Sequence, residues 1–460
     1  MPETIELWGV SDPNISAQLA LAFKLDLFKR EAGLDVSCKF IESGTTMAND
    51  VLNAEKPPFA FTQTPITALL LHEKGVRTKL VAPLADIAGT QQVIIRASSG
   101  IATPKDLHGK RMGMARGAAI YLALQHMAKD CSVDLNLVHF LDLLPHEQLE
   151  AFKAGTIDAI ASWEPWTTRA QQIGGLFYFS GTHSKIPGME GNINWLTNQS
   201  CLIVPDAQLE KQPEVVVAIL TVLRKATDLI NNHRKNVADA LASFFGISQI
   251  ELLFAMQKNA YSLTITNLFR LGILGFRDFF YESGRISSKF PENVLYETTC
   301  LRQVDPALVF LEDTTSQDVT IIEEDGIYYR NDFTLHGAAL GFLVADDSRY
   351  VRAALTRAVK SIGGTVVGEA TSGSEVLEIV AHTHVDVVTV DLSMPGVSGL
   401  EAIKILLQID PAVTVIVISG MDLQEVQEEV FNMGAKMYIQ KPFDLQKVTA
   451  VLAKAVSASE

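Results

Sequence analysis

The sequence has little cysteine and no pattern that would give its cysteines a structural task. Four occur in 460 residues, at Cys38, Cys131, Cys201 and Cys300, and none lies in a CxxC pair or beside a cluster of histidines. Zinc sites and disulfide frameworks depend on such spacing. We therefore expect reduced, mostly buried thiols, and neither a zinc centre nor a disulfide-stabilised fold.

Long hydrophobic stretches are also missing. The longest mostly apolar runs, Ile66–Leu71 and Val413–Ile418, are far shorter than the roughly 20 residues that a membrane helix needs. The first residues, Met1–Val10, lack the basic and apolar regions of a signal peptide and are typical of a strand. We therefore expect no membrane insertion, no export and a cytoplasmic location.

Positive charge is in deficit. The chain has 38 Lys and Arg against 53 Asp and Glu, which gives a formal net charge of -15. Proteins that bind nucleic acids or anionic lipids gather those partners with basic patches. We therefore expect no nucleic-acid partner, and no helix-turn-helix pattern follows the last α/β segment.

What the sequence does contain is three successive α/β series. Short apolar strands alternate with amphipathic helices from Ile5, again from about Gln92, and a third time from Leu340, with a helical stretch after about Pro205. This alternation favours mostly parallel sheets. The predicted units are a two-lobed domain in residues 1–302 with its second lobe at about 90–200, a structured connector in 303–337, and a further domain in 338–460.

Two local patterns can be compared directly with a structure. Asp325-Gly326, between Val319–Ile322 and Ile327–Tyr329, predicts a β-hairpin inside the connector. In the helical stretch, the spacing of apolar residues predicts separate helices over 213–232 and 236–245.

Acidic side chains follow two buried strands of the third series. Asp346 and Asp347 come directly after Leu340–Ala345, and Asp391 follows Val385–Val390. The carboxyl ends of parallel strands meet at one edge of a sheet. Three acids at one edge repel each other unless a hard divalent cation lies among them, and their oxygen ligands suit Mg²⁺. We predict a Mg²⁺ site at Asp346, Asp347 and Asp391.

Two further strands end in groups that can bind a phosphoryl group. Val413–Ile418 is followed by Ser419, whose hydroxyl can bond a phosphoryl oxygen, and Met437–Gln440 is followed by Lys441, whose ammonium can pair with an acyl phosphate. A metal at the acids would neutralise charge as the phosphoryl group moves. We therefore predict that Asp391 accepts a phosphoryl group.

The stretch from about Leu340 to Val456 resembles the response-regulator receiver family. The matching residues are Asp346, Asp347, Asp391, Met394-Pro395-Gly396, Ser419, Gly434-Ala435, Tyr438 and Lys441-Pro442-Phe443. The resemblance implies a doubly wound (βα)5 fold, a histidine kinase or phosphotransfer protein as partner, and a switch pair of Ser419 and Tyr438. It also implies that Tyr438 reports phosphorylation on the face of the fourth helix (about 423–433), the last strand and the last helix. The apolar and acidic residues of that helix either form core and a solvated surface, or make this face dock a partner, another copy of the chain or the connector after phosphorylation.

The first three hundred residues resemble the periplasmic-type substrate-binding proteins of nitrate, sulfonate, taurine and thiamine-precursor transporters. The resemblance is carried by Glu42-Ser43-Gly44, by Ile101–Leu107 with Gly109-Lys110-Arg111, by Ala154–Ala159 and by Trp163-Glu164-Pro165-Trp166. It implies two α/β lobes with a ligand cleft between them. A transporter component is exported, whereas this chain shows no export signal, so reuse of the fold as a cytoplasmic sensor is expected.

Strand ends also predict the cleft from the residues alone. Backbone N–H groups at helix starts bind anionic or polar groups, an arginine can add charge, tryptophans can form walls, and Glu164 could recognise an amine or ring N–H. A strand-end Trp can equally belong to the core, and a strand-end Thr can be a helix N-cap. The predicted lining residues are Ser11, Gly44, Thr45, Thr46, Gln63, Thr64, Arg116, Gly117, Ala118, Tyr121, Trp163, Glu164 and Trp166.

Three functions fit these patterns. The first is a ligand-sensing response regulator that binds a small polar or anionic metabolite and is not an enzyme. The second is a cytoplasmic enzyme on the binding-protein fold, regulated by the receiver, although no nucleophile and base pair stands out in the cleft. The third is a phosphate-sink adaptor with a vestigial binding domain. The receiver also leaves a homo-oligomer open.

Overall fold

The chain builds part of one lobe, completes a second, and then returns to the first. The structure, a computed structural model, describes residues 4–311, 320–331, 333, 335, 340–394, 398–410, 413–420 and 424–457. The first lobe begins with β1 (Ile5–Val10), α1 (Pro13–Lys24), α2 (Leu27–Ala32), β2 (Val36–Ile41), α3 (Met47–Asn53), β3 (Ala60–Gln63), α4 (Pro65–Glu73) and β4 (Thr78–Asp86).

The second lobe occupies the middle of the binding domain. Its elements are β5 (Gln91–Arg96), β6 (Arg111–Met114), α5 (Ile120–Cys131), β7 (His139–Asp142), α6 (Pro145–Ala154), β8 (Ala159–Trp163), α7 (Trp166–Gln172), β9 (Gly175–Ser180), β10 (His183–Ser184) and β11 (Gly191–Asn192). The chain then re-enters the first lobe. The returning elements are β12 (Gln199–Pro205), α8 (Asp206–Lys211), α9 (Pro213–Phe245), α10 (Gln249–Gln257), β13 (Ala260–Tyr261), α11 (Asn267–Glu282), α12 (Glu292–Leu295) and α13 (Thr299–Val304).

Each lobe is built on one sheet. The strand order is β13-β4-β12-β3-β1-β2 in the first lobe and β11-β10-β9-β5-β8-β6-β7 in the second. Strands β1, β2 and β3 are parallel to one another, and so are β6, β7 and β8. The chain crosses between the lobes twice, and the Ile87 N–H in one crossing donates to the Asn198 carbonyl in the other at 2.8 Å. The two crossings therefore form one hinge.

The helical stretch agrees with the predicted break. Over its 33 residues, α9 has non-helical backbone angles at His233, where φ is -135° and ψ is 35°, so two helical segments meet there at a kink. The kink lies between the predicted helices 213–232 and 236–245, although residues 233–235 include neither a proline nor a glycine, the usual causes of a kink. No single helix in the described residues is long and apolar enough to cross a membrane, although α9 and α10, bent by 119°, pass that test as a pair.

The C-terminal domain has a seven-stranded sheet in the order β14-β15-β20-β19-β18-β16-β17. Its elements are β14 (Ile321–Glu324), β15 (Ile327–Arg330), β16 (Gly341–Ala345), α14 (Arg349–Ser361), β17 (Thr365–Ala370), α15 (Gly373–His382), β18 (Val387–Asp391), α16 (Gly399–Ile409), β19 (Thr414–Ser419), α17 (Gln424–Met433), β20 (Met437–Gln440) and α18 (Leu445–Ser457). The five strands β16 to β20 are parallel, and β16 and β18 are buried along their whole length, as expected for a sheet covered on both faces.

The hairpin of residues 321–330 belongs to the receiver sheet and is more than a connector. Asp325 and Gly326 form its turn with φ values of 51° and 81°, a left-handed pair that Asp-Gly tolerates well. Its second strand, β15, pairs antiparallel with β20, with Tyr328 opposite Tyr438. Of the strand predicted at 319–322, Val319 lies outside the described residues, and β14 extends instead to Glu324. The hairpin thus covers what would otherwise be an edge of the parallel sheet.

Candidate functional sites

The acids predicted to hold a metal meet at one edge of the receiver sheet. Asp346 and Asp347 follow β16, Asp391 ends β18, and the two strands are parallel neighbours with Ala345 opposite Val390. One carboxylate oxygen from each acid lies within 4.8 Å of the others, and all three side chains are buried. The apolar strands thus force three carboxylates into one water-poor position.

Lys441 faces these acids from the end of β20. Its Nζ lies 2.7 Å from Asp346 Oδ2 and 2.8 Å from Asp391 Oδ2. Burial alone would lower the pKa of Lys441, but the surrounding carboxylates of Asp346, Asp391 and Asp347 raise it above its ordinary value. The lysine is therefore held as a cation directly beside Asp391.

The acids keep an excess of negative charge despite this lysine. Burial, with the Asp391 carboxylate adding to it and Lys441 opposing it, raises the pKa of Asp346 to about 6. Burial, followed by the Asp391 and Asp346 carboxylates, also raises the pKa of Asp347. Three buried acids against one lysine lack compensating positive charge, and this donor set of oxygens fits a divalent cation such as Mg²⁺.

Backbone groups complete the acidic edge. The Ser393 N–H donates to Asp391 Oδ1 at 3.1 Å, and the Ser348 N–H donates to Asp346 Oδ1 at 2.8 Å. The Arg352 guanidinium holds the loop after β16 by donating to the Asp346 carbonyl at 2.8 Å. No pattern in the sequence indicated Ser393, because a serine two residues after an aspartate is common in proteins and here acts through its backbone N–H. Pro395 and Gly396 of the matched motif lie outside the described residues.

The predicted switch pair is buried. Ser419 ends β19, next to β18 with Ile418 opposite Asp391, and its side chain is inaccessible to solvent. Tyr438 lies inside the domain, fully buried, with its ring edge-on to Tyr328 at a centroid distance of 6.3 Å. The hairpin therefore contributes a partner for the aromatic member of the pair.

The two lobes of the N-terminal domain meet at the strand ends that the sequence predicted. We call the gap between the ends of β1–β3 and the ends of β6 and β8 the interlobe cleft. Across it, the Asn14 amide donates to the Glu164 carbonyl at 2.9 Å, and the Trp163 side chain hydrogen-bonds to the Asp12 carboxylate. The lobes thus touch at Trp163 and Glu164 of lobe 2.

The predicted lining residues differ in how far they are open to solvent. Some of them already form hydrogen bonds within the protein. Gln63 Nε2 donates to the Gly44 carbonyl at 3.0 Å, and the Thr46 hydroxyl donates to Asp50 at 2.7 Å. Exposed are Ser11, Thr45, Thr46 and Arg116; partly exposed are Gly44, Thr64, Gly117, Tyr121, Trp163 and Trp166; buried are Gln63, Ala118 and Glu164.

Glu164 lies in surroundings that its predicted role did not anticipate. It was predicted to recognise an amine or ring N–H of a ligand, but its side chain is buried and paired with Lys258 from the loop after α10. Gln92 Nε2 and the Thr168 N–H also donate to its carboxylate, each at 3.2 Å. Its charge is thus used to join lobe 2 to the helices of lobe 1. The partner stands 94 residues away in the sequence, so no local pattern indicated it.

Arg285 is a cleft residue that sequence analysis did not find. Its guanidinium stacks on Phe280 and lies 3.3 Å from the position that a Cβ on Gly117 would occupy. Partial burial, and then the nearby Arg116, lower the pKa of Arg285, while Tyr121 opposes the shift. Arg116 itself pairs with Asp142 at 3.3 Å but remains 81% exposed. Arg285 of lobe 1 therefore approaches the loop before α5, and Arg116 of lobe 2 is part of that loop.

Cavities elsewhere do not coincide with the cleft. One of about 310 Å³ lies along α9 around Arg224 and His233, and one of about 280 Å³ lies beside Asp206 and Cys300. Neither includes a predicted lining residue.

Comparison with known proteins divides the chain in the same way. A family model described as response regulator receiver domain matches residues 342–453, and one described as NMT1/THI5 like matches residues 16–236. Chemotaxis protein CheY of Thermotoga maritima is 38% identical over 112 residues, which are 24% of this chain and 93% of that protein. CheY of Listeria monocytogenes is 35% identical over 116 residues, which are 25% of this chain and 98% of that protein.

The N-terminal fold has relatives among solved structures. The periplasmic aliphatic sulphonate binding protein SsuA of Escherichia coli matches with a TM-score of 0.55 at 16% identity, covering 71% of this chain and 99% of that one. The alkanesulfonate-binding protein SsuA of Xanthomonas axonopodis pv. citri, bound to MOPS, matches with a TM-score of 0.51 at 15% identity, covering 67% and 98%. Both resemblances predicted from the sequence, and the α/β fold class, are thereby confirmed. The chain therefore belongs through its C-terminal domain to the response-regulator receiver family, and it carries an NMT1/THI5-like domain with a periplasmic-binding-protein fold before it.

Proposed function

We propose that this chain is a response regulator whose Asp391 accepts a phosphoryl group, and whose N-terminal domain binds a small polar or anionic metabolite. The observation that carries the first half is the meeting of Asp346, Asp347 and Asp391 at one buried edge with Lys441 beside them. A histidine kinase or phosphotransfer protein is the expected donor. Such donors belong to the cytoplasm, which is where we place the protein.

The chain's own groups can carry out the transfer. An Asp391 oxygen attacks phosphorus, forms the O–P bond of an acyl phosphate, and the donor's bond to phosphorus breaks as its leaving group departs. Lys441, held charged beside Asp391, pairs with a phosphoryl oxygen. The Ser393 N–H and the Ser419 hydroxyl lie at the same edge and can donate to the other oxygens. A Mg²⁺ held by the three acids would neutralise charge on the transferring group.

Phosphorylation can be tested with the analogue beryllofluoride. With Mg²⁺, we expect it to raise the unfolding temperature of the wild type, and we expect no rise with EDTA or in Asp391→Asn. Glu378→Gln is the matched control, since it removes an exposed acid from α15 in the same domain. An equal rise in Asp391→Asn would show that the acceptor is misassigned.

The second half rests on the geometry of the interlobe cleft. Arg285 of lobe 1 approaches the loop at Gly117, and Arg116 of the same loop lies near enough to affect the pKa of Arg285, so an anion there would meet two positive charges. Two proteins of the same fold are named as binders of aliphatic sulphonates or alkanesulfonates, and sulfonates are therefore the first ligands to try. Calorimetry with an alkanesulfonate series should give a saturable signal that Arg285→Ala weakens. A ligand at 100 times its Kd should add about 2.7 kcal/mol of stability.

The proposal that the N-terminal domain binds a metabolite has its own control variant and its own contradicting result. Arg224→Ala removes an arginine from α9, outside the cleft, and should leave the binding isotherm unchanged. If sulfonates, nitrate and small aromatic metabolites all fail to bind the wild type, ligand sensing is wrong while the phosphorylation result stands. We also propose that receivers can associate into a homo-oligomer. Light scattering with and without beryllofluoride would measure the change in mass.

A further inference from the structure

The receiver contacts both lobes of the binding domain. On the lobe 1 side, Arg270 of α11 pairs with Glu429 of α17. On the lobe 2 side, the Asn194 amide donates to the Ser393 carbonyl in the loop after β18. A domain that is bonded to both lobes restricts how far they can move apart about the hinge.

The contact with lobe 1 includes apolar side chains. Leu271 and Leu274 of α11 are fully buried and belong to the same apolar cluster as Leu400 and Ile403 of α16. The opposite side of α11 belongs to the core of lobe 1, for example at Ile273. Helix α11 therefore presents one apolar face to each domain.

Polar groups fix the orientation of this contact. Arg270 is only 13% exposed and also donates through Nη2 to Glu292 of lobe 1 at 2.9 Å, so it joins acids from both domains. The backbone N–H of Asn267 hydrogen-bonds to the Glu401 side chain in the first turn of α16. Separating an ion pair this buried, together with the apolar side chains around it, costs a large free energy.

The contact with lobe 2 is of another kind. Among the described residues, the Asn194 amide supplies its hydrogen bond, and the neighbouring Trp195 is fixed to α5 by two hydrogen bonds. The Trp195 indole donates to Asp130 at 2.7 Å, and its carbonyl lies 2.7 Å from His126 Nδ1. Helix α5 begins at the cleft loop that contains Gly117. Asn194 is therefore connected through Trp195 and α5 to the lobe 2 side of the cleft, and it should move with that side.

The same peptide segment touches the phosphoryl acceptor. Ser393 donates its N–H to Asp391 Oδ1 at 3.1 Å while its carbonyl accepts from Asn194. A phosphoryl group on Asp391 would offer new acceptor oxygens to this N–H. The two groups lie on either side of the Ser393 Cα, so a shift of this residue toward those oxygens also moves its carbonyl relative to Asn194.

We propose that the receiver is a phosphorylation-controlled bridge between the lobes, which stays on lobe 1 through α11 and releases lobe 2 at Asn194 when Asp391 is phosphorylated. The inference rests on the phosphorylation proposed above. Linkage makes the effect reciprocal: whatever phosphorylation does to cleft opening, a cleft ligand does to phosphorylation by the same factor.

Hydrogen–deuterium exchange of the full chain, with and without beryllofluoride and Mg²⁺, tests the bridge. In the wild type, amides of residues 191–198 should exchange faster by roughly 5- to 150-fold, the usual range of allosteric coupling, while α11 stays protected. Asn194→Ala should show the fast exchange without beryllofluoride and little further response. Asn192→Ala, which removes an exposed amide near His183 from the same segment, should respond like the wild type.

The outcomes separate this inference from the proposed function. Protection gained at β18 and β19 shows that beryllofluoride has bound, and if it never appears, the phosphorylation proposal itself is wrong. If it appears while residues 191–198 are unchanged, or while Asn194→Ala responds as strongly as the wild type, the bridge is overturned. An equal loss of protection in α11 would mean that the whole receiver dissociates from both lobes, and this result would also contradict the bridge.

Discussion

Tyr328 of the hairpin lies directly opposite Tyr438 of β20, with the two rings edge-on at 6.3 Å. The face on which a receiver of this family is expected to report phosphorylation is therefore partly covered by the chain's own preceding segment. The sequence analysis allowed the connector as one possible occupant of this face after phosphorylation. In the structure, the connector hairpin lies on the last strand of this face.

The tyrosine pair should contribute measurably to receiver stability. Edge-to-face aromatic pairs are worth about 0.5–1.5 kcal/mol beyond the area they bury, so Tyr328→Leu should lower the unfolding free energy by about that amount. Ile322→Ala, a change on the exposed strand of the same hairpin, should alter it by less than about 0.5 kcal/mol. Urea unfolding followed at a receiver-specific probe measures both, and equal effects would show that the ring contact is energetically silent.

The Arg270–Glu429 pair should be costly to break from one side. Arg270→Met leaves Glu429, whose side chain is only 9% exposed, without its partner, and removing one member of a buried pair costs roughly 3–5 kcal/mol. The double variant Arg270→Met/Glu429→Gln should lose less than the sum of the single variants. Arg224→Met breaks a solvent-exposed pair with Asp305 and should change stability little. If the losses of stability in the two single variants simply add up in the double variant, Arg270 and Glu429 are not energetically coupled.

Asp12 should make the binding domain sensitive to pH. Burial raises its pKa from 3.8 to about 6, against hydrogen bonds from Asn14 and Trp163. Because the folded pKa lies above the unfolded one, the stability that Asp12 provides is complete below about pH 4 and is lost as pH rises through 6.

Asp12→Asn should therefore gain stability relative to the wild type between pH 4 and 6 and keep a constant advantage of order 1–3 kcal/mol above that range. Thermal unfolding from pH 4 to 8 measures the difference. An advantage that does not depend on pH would show that Asp12 titrates normally.

Gly117 should be required both for its left-handed backbone conformation and for the lack of a side chain beside Arg285. Its φ of 83° disfavours any side chain, and a Cβ would lie 3.3 Å from Arg285. Gly117→Ala should lose about 1–2 kcal/mol from the left-handed conformation and also weaken cleft binding. Gly155→Ala is matched, because φ is 76° there and nothing lies within 4 Å of the added Cβ. It should show a similar stability loss with unchanged binding, and equal binding by both variants would remove Gly117 from the cleft.

Much of the receiver could be predicted because its chemistry follows directly from its strands. Asp391, Ser419 and Lys441 each come at or just after the end of an apolar run, and parallel pairing brings such ends together whatever the loops do. Arg270, Asn194 and Arg285 could not be found in this way. They lie on a helix side or in loops, and their partners are set by the packing of separate domains and lobes, which leaves no spacing in the sequence.

Glu164 shows the same limit within a correctly predicted region. It follows β8 as predicted, but its carboxylate is paired with Lys258, which the returning part of lobe 1 supplies. A strand-end carboxylate and a ligand-binding carboxylate have the same local pattern. Only the distant lysine distinguishes them.

The central claim, that Asp391 accepts the phosphoryl group, is tested most directly by chemical trapping. The protein would be incubated with acetyl phosphate and Mg²⁺, reduced with borohydride to convert an aspartyl phosphate into homoserine, and sequenced by tandem mass spectrometry. We predict homoserine at residue 391, with none in the presence of EDTA. Homoserine at another acid, or phosphate bound elsewhere with residue 391 unmodified, would contradict the account.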